Sequence, residues 1–186
     1  MQAKEILLWK RLSCADEEAF SIIYKEQIKN LLQYGLKFTQ NMPLIEDCIQ
    51  DVFSNVLDSK RQLSLPQNVG YYLMGALRNR LIRQLRTEKK LEITSDEVQF
   101  EFYLARIDKT SLKEKEEYFE YEKLNQSIND LPPRQKEVIY LRFSREYSYE
   151  VIAEIMDIRI DACRNLVYRA LTTLRKELSR EQFCCF

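Results

Sequence analysis

The chain has 186 residues, 45% apolar and 31% charged, which suits one mid-sized domain or two small ones and excludes a chain disordered by composition. Three glycines and four prolines leave no Gly-rich phosphate loop and argue against a turn-rich β architecture. The absence of histidine excludes His-based dyads and triads and imidazole metal sites. The formal net charge is zero but uneven: residues 1–87 carry net +3, residues 88–123 net −4 and residues 124–186 net +1. Two near-neutral to basic blocks thus flank an acidic middle, unlike a protein held on bulk DNA by charge alone.

The five cysteines, Cys14, Cys48, Cys163, Cys184 and Cys185, include no C-x-x-C pair and offer no zinc site. Their odd number points to a reducing cytoplasm. Cys48 and Cys163 read as small buried apolar residues. The apolar run from Ile6 to Trp9 is too short for a signal peptide, and no stretch approaches the ~20 apolar residues that span a membrane, so no membrane insertion is expected.

In chain order, Asp16 followed by Glu17 and Glu18 marks a helix start, with helical pattern to about Thr39, broken near Gly35. Asn41-Met42-Pro43 is a breaker. Residues 44–58 form an amphipathic helix with Ile45, Ile49, Val52 and Val56 on one face, flanked by Cys48 and Phe53, and Asp47, Gln50, Asp51 and Ser54 opposite. A loop at 64–70 leads to a helix at 71–87. There Tyr72, Asn79, Arg83 and Arg86 share a stripe, while Leu73, Leu77, Leu81 and Leu85 point the other way. Residues 88–112 have no steady period and read as an acidic flexible linker. A helical pattern resumes near Leu112 and runs to Asn129.

Leu131-Pro132-Pro133 stops one helix and starts the next, which covers residues 134–143. Ser148 is the N-cap of a short helix at 149–156 that buries Val151, Ile152, Ile155 and Met156. Asp157-Ile158-Arg159 makes a tight connection to a helix from Ile160 to about Leu178, with Ile160, Cys163, Val167, Leu171, Leu174 and Leu178 inward. The expected fold is all-α: two small helical domains, 1–87 and 113–186, joined by the acidic linker 88–112.

The pair of helices at 149–178, with Ala153 small enough for a close crossing, has the pattern of a helix-turn-helix. Its second helix would lie in the major groove and present Asp161, Ala162, Asn165 and Arg169, with Arg164 and Tyr168 on the flank. Arg suits guanine and Asn suits adenine, or either holds phosphate. An aromatic beside Arg and Asn on the 71–87 helix suits unstacked single-strand bases, although taken alone that stripe fits a solvated basic face better. The acidic face of the 44–58 helix could dock a basic partner helix, although taken alone it fits ordinary exposed acids better.

Two stretches carry a family resemblance. LPPRQKEVIYLRFSREYSYEVIAEIMDIRIDACRNLVYRALTTLRKEL resembles region 4 of bacterial RNA polymerase sigma factors of the sigma-70 family, and AFSIIYKEQ, IEDCIQDVFSNVL and YYLMGALRNRLIRQLR resemble region 2. Having these two regions alone is typical of the small extracytoplasmic-function type. The chain departs from that pattern in having Tyr72 where the family often has Trp and Asp157 where it often has Gly.

The resemblance implies an alternative sigma factor that binds core RNA polymerase through Glu46, Asp47, Gln50, Asp51 and Ser54. It implies opening of the −10 element by Asn68, Tyr72, Arg78, Asn79, Arg83 and Arg86. The −35 element would be read by Arg159, Asp161, Ala162, Arg164, Asn165, Tyr168 and Arg169. Expected partners are core polymerase, promoter DNA and an anti-sigma factor; the free chain is expected to be a cytoplasmic monomer, without cofactor, metal or catalytic residues. The alternatives are an ordinary helix-turn-helix regulator binding duplex DNA without polymerase, or a sigma-mimicking adaptor.

Overall fold

The computed structural model describes residues 2–12, 16–58, 66, 68–88, 98–102 and 115–182. The secondary structure among them is helical, and the chain divides into two compact units, one built mainly on residues 1–98 and the other on residues 99–186.

The first unit contains α1 (Gln2–Leu12), α2 (Glu17–Gly35), α3 (Met42–Asp58) and α4 (Val69–Glu88). Asp16 caps α2: its carboxylate accepts from the Ala19 N–H at 3.0 Å and from Arg11 Nε at 2.7 Å. The Arg11 hydrogen bond, with the Ala19 bond second, holds the Asp16 carboxyl below its ordinary pKa. The expected breaker at Asn41-Met42-Pro43 is instead the start of α3. Asn41 Oδ1 accepts from the Leu44 N–H at 3.2 Å, and proline is tolerated in a first turn because its missing N–H has no intrahelical partner there.

In this unit α1 packs on α2 and α4, and α3 packs on α2 and α4. Trp9, Leu31, Tyr34, Ile45, Ile49, Leu73, Leu77 and Leu81 are almost fully enclosed. The spacing of Ile45, Ile49, Val52 and Val56 does put one stripe of α3 inward, and Cys48 and Phe53 are buried with it. Gly35 marks the closest approach of α2 and α3: a Cβ there would lie 2.5 Å from Ile45 Cγ2. Gly35→Ala is therefore expected to destabilise this unit by about 1–3 kcal/mol, since the enclosed, branched Ile45 has little room to yield. Urea unfolding, read as a drop in midpoint, measures it.

The second unit contains α5 (Lys115–Asn129), α6 (Pro133–Ile139), a π-helical turn (Tyr140–Ser144), the start of α7 (Tyr149–Met156), whose residues from Glu154 on group with the first unit, and α8 (Ile160–Gln182). The 134–143 helix expected from sequence is thus interrupted. At its end the Arg145 N–H reaches back five residues to the Tyr140 carbonyl at 3.2 Å, and the wider turn leaves Phe143 55% exposed. Both α5 and α6 pack on α8. The buried stripe of α8 is Cys163, Val167, Ala170 and Leu174, whereas Ile160 and Leu171, expected inside, are 38% and 41% exposed. The reason is angular: Leu171 sits about 100° round the helix from Ala170, and Ala170 is the one enclosed. On α7, Ile152, Ala153, Ile155 and Met156 are buried, and Val151 is half-buried.

The turn between α7 and α8 is a Schellman closure. The Ile158 N–H donates to the Ala153 carbonyl at 3.0 Å and the Asp157 N–H to the Glu154 carbonyl at 3.3 Å. This puts Asp157 at φ 52°, a left-handed position where a side chain costs energy and glycine does not. Asp157→Gly is expected to raise the thermal stability of the chain by about 0.5–1 kcal/mol, measured by calorimetry, without moving the α8 axis.

Within the 88–112 stretch read as linker, residues 98–102 are described. Val98, Phe100 and Phe102 are buried while Gln99 and Glu101 are exposed, the alternation of an extended strand with one face down. Both phenylalanine rings lie against Tyr140, at 5.7 and 5.3 Å between centroids. The expected loop at 64–70 falls mostly outside the described residues, as do Cys14, Cys184 and Cys185.

Candidate nucleic-acid and polymerase interfaces

On α3, Glu46, Asp47, Gln50 and Ser54 are exposed along one side. Asp51 is set apart from them: its carboxylate is ion-paired with Arg80 of α4, and the two side chains are 45% and 37% exposed. Asp47, Gln50, Asp51, Arg80 and Gln84 line a shallow polar hollow of about 360 Å³ between α3 and α4. A basic side chain entering it would meet two carboxylates and one resident guanidinium.

On the other flank of the same face lies a further feature. Phe20 and Tyr24 of α2 and Phe53 of α3 cluster as a trio, with centroid separations of 5.8, 5.6 and 5.1 Å. They wall a hollow of about 440 Å³ that also takes in Glu46, Gln50 and Ser54. The acidic face is therefore bordered by an apolar seat, which suits a partner helix with both basic and apolar side chains. The spacing of Phe20 and Tyr24 on one face of α2 was a signal for it.

The stripe on α4 is less uniform than its spacing implies. Asn79 and Arg83 are exposed and Arg86 is half-buried. Arg78 is only 4% exposed, because it shares the side of α4 that carries Met74, Leu81 and Ile82, all buried. Tyr72 is half-buried, its ring meeting Trp9 edge-to-face at 5.3 Å and 74°. Asn68 caps α4, its Oδ1 accepting from the Tyr71 N–H at 3.0 Å. That bond answers one of the orphan N–H groups of a helix start.

On α8 and the turn before it, Arg159, Asp161, Ala162, Arg164, Asn165, Tyr168 and Arg169 are all exposed. Tyr168 is 70% exposed, a large ring with no cover. Arg164 Nη1 lies 3.2 Å from Asp161 Oδ1, one helical turn earlier, so Asp161 orients the guanidinium as well as offsetting its charge.

Arg142 and Arg164 lie at 4.8 and 5.9 Å from the Tyr149 ring centroid. Arg142 also donates to the Tyr147 carbonyl at 2.8 Å. Glu150 beside them has its pKa lowered, first by the hydrogen bond from its own backbone N–H and then by that from Ser148. Tyr149 and Arg142 thus join Arg164 through the fold, and no spacing in the sequence announces it. Cys163 under α8 is pushed up in pKa by burial, as befits a thiol that packs rather than reacts.

Among the described residues no group of His, Cys, Asp and Glu could hold a metal ion, and no helix is long and apolar enough to cross a membrane.

Residues 121–174, which run from α5 into α8, match the family model for sigma-70, region 4. The chain is 26% identical over 153 residues to the RNA polymerase sigma factor SigV of Bacillus subtilis (strain 168), covering 82% of this chain and 87% of that protein. It is 22% identical over 164 residues to the RNA polymerase sigma factor YlaC of the same organism, covering 86% and 92%.

Two solved structures share the fold. CnrH in complex with the cytosolic domain of CnrY aligns with a TM-score of 0.61 at 15% identity, over 95% of this chain and 97% of that one. The sigma factor RpoE in complex with the anti-sigma factor NepR from Bartonella quintana aligns with a TM-score of 0.57 at 20% identity, over 86% and 96%. The solved structures speak for the fold, while the region 4 match and the two relatives, aligned over more than four-fifths of the chain, speak for descent. The chain is thus similar to RNA polymerase sigma factors over more than four-fifths of its length, with the sigma-70 region 4 match across residues 121–174.

Proposed function

We propose that this chain acts as an alternative sigma factor that joins core RNA polymerase in the cytoplasm, places it on −35 and −10 promoter elements and helps to open the −10 element. The observation that carries the reading is the region 4 match, laid on a helix-turn-helix whose second helix leaves Arg164, Asn165, Tyr168 and Arg169 open to a major groove. Glu46, Asp47, Gln50, Asp51 and Ser54 form the acidic half of the polymerase contact, and the Phe20, Tyr24 and Phe53 trio beside them takes an apolar side chain of the same partner helix.

At −10, Asn79, Arg83 and Arg86 hold the separated strand by phosphate contact. Tyr72, steadied by Trp9, supplies an aromatic edge. Arg78 and Asn68 support that face from within, through packing and capping. Arg159, Asp161 and Ala162 set the depth and angle at which α8 enters the −35 duplex.

An anti-sigma partner belongs to this reading, since a protein of the same fold is solved with one. Run-off transcription with core polymerase and a genomic library as template tests the proposal. Discrete start sites that depend on added protein are the expected result. Tight duplex binding without transcription would favour the ordinary regulator, and core binding without transcription the adaptor.

A further inference from the structure

We propose that Asp161 and Arg164 read one C·G base pair of the −35 element as a unit. The carboxylate accepts from the cytosine amine, and the guanidinium donates to the paired guanine. Resting on the sigma-factor reading above, this gives Asp161 a base contact in addition to its part in setting the depth of α8. The placement is angular. At ~100° per residue, Asp161 and Asn165 lie within ~30° of the line opposite the buried stripe of Cys163, Val167, Ala170 and Leu174. They therefore point furthest from the core. Arg164 lies ~90° to one side of that line. The ion pair draws its guanidinium back toward Asp161, with Nη1 3.2 Å from Oδ1. The two side chains, Arg164 and Asp161, are 56% and 88% exposed, and so open a pair adds little to folding.

A carboxylate on the groove-facing side of α8 needs a donor. In the major groove only the amines of adenine and cytosine donate; guanine N7 and O6 and thymine O4 accept, and repel it. Adenine sets the acceptor N7 beside its amine, which matches an amide and leaves one carboxylate oxygen facing an acceptor. Cytosine has no such neighbour of its own. Beside its amine stands O6 of the paired guanine, which calls for a donor, and Arg164 supplies it. The amine nitrogen and O6 are the two ends of one N–H···O bond, ~2.9 Å apart. That spacing is close to the 3.2 Å between guanidinium and carboxylate. Acceptor and donor on the helix are thus spaced as donor and acceptor on the C·G edge. The pair is also neutral, so the carboxylate enters between two phosphate walls that would repel it alone.

The test uses the full chain with core polymerase. Run-off transcription on templates randomised at −35 locates the base pair at which Arg164→Ala loses its guanine preference. The cytosine of that pair is then replaced by pyrimidin-2-one, which still pairs with guanine but lacks the 4-amine. At subsaturating holoenzyme the wild-type chain is expected to lose at least about 5-fold in transcription on that template, and Asp161→Ala less than about 2-fold. Thermal melts of the two chains are expected to coincide, which separates base reading from a folding defect. Equal losses in both chains overturn the paired reading. So does an Asp161→Ala chain that transcribes all templates uniformly better with a steeper salt dependence, since Asp161 would then act only by repelling phosphate. If Arg164→Ala loses no guanine preference at any position, the paired reading is again overturned. Absence of start sites on every template with the wild-type chain overturns the sigma reading itself, and the paired reading with it.

Discussion

Asp51→Arg is expected to weaken binding to core RNA polymerase by about 100-fold, close to 3 kcal/mol. In the free protein Asp51 is paired with Arg80 on the edge of a polar hollow shared with Asp47 and Gln50. The substitution puts two guanidiniums side by side where a basic partner must dock, and juxtaposed like charges across an interface cost several kcal/mol. The internal pair alone is worth little, since both side chains are more than a third exposed and water screens them. Folding stability is therefore expected to change by well under the binding effect. Fluorescence anisotropy with labelled chain measures affinity, and thermal melting measures stability. The charge-swapped double variant, Asp51→Arg with Arg80→Asp, separates the two causes. It restores the internal pair and the melting temperature but not polymerase binding. Recovery of binding in the swap would show that Asp51 serves the fold and not the partner.

Arg164→Ala is expected to erase discrimination at one base pair of the −35 element, a loss of about 1–3 kcal/mol or roughly 5- to 150-fold. Arg164 is 56% exposed at its side chain and is oriented by Asp161 beneath the Tyr149 ring, so the fork is held ready before DNA arrives. Run-off transcription on templates with a randomised −35 element reads the effect position by position. If the drop is uniform across all templates and the salt dependence becomes shallower, Arg164 is a phosphate contact. Arg164→Lys sharpens the distinction, because lysine keeps a charge for phosphate but lacks the planar fork for guanine.

Periodicity was enough for much of the architecture. The 3.6-residue spacing of Ile45, Ile49, Val52 and Val56 determines which side of α3 is core, and so leaves Glu46, Asp47, Gln50 and Ser54 outside. On α8 the same reasoning exposes Asn165 and Arg169, yet it misplaces Leu171. Periodicity tells which residues are apolar, not which neighbour comes close enough to cover them, and here the small Ala170 takes the covered position. On α4, Arg78 is buried because the apolar side of the helix is wider than a row of leucines suggests.

Local sequence by itself determined most of the helices, because capping and the helical repeat act over three or four residues; Asp16 was legible as a helix start, whereas Asn41 and Asn68, which also accept a backbone N–H at a helix start, read as a breaker and a loop. It also carries the resemblance to sigma factors, through the region 4 and region 2 patterns. Only the tertiary structure decided that Asp51 is paired with Arg80, that Tyr149 gathers Arg142 and Arg164, that Phe20, Tyr24 and Phe53 make one apolar seat, and that Phe100 and Phe102 lie on Tyr140. Each of those joins residues from different elements or across a turn. Their distance in space depends on how whole helices and segments pack, and no short-range repeat in the chain records it.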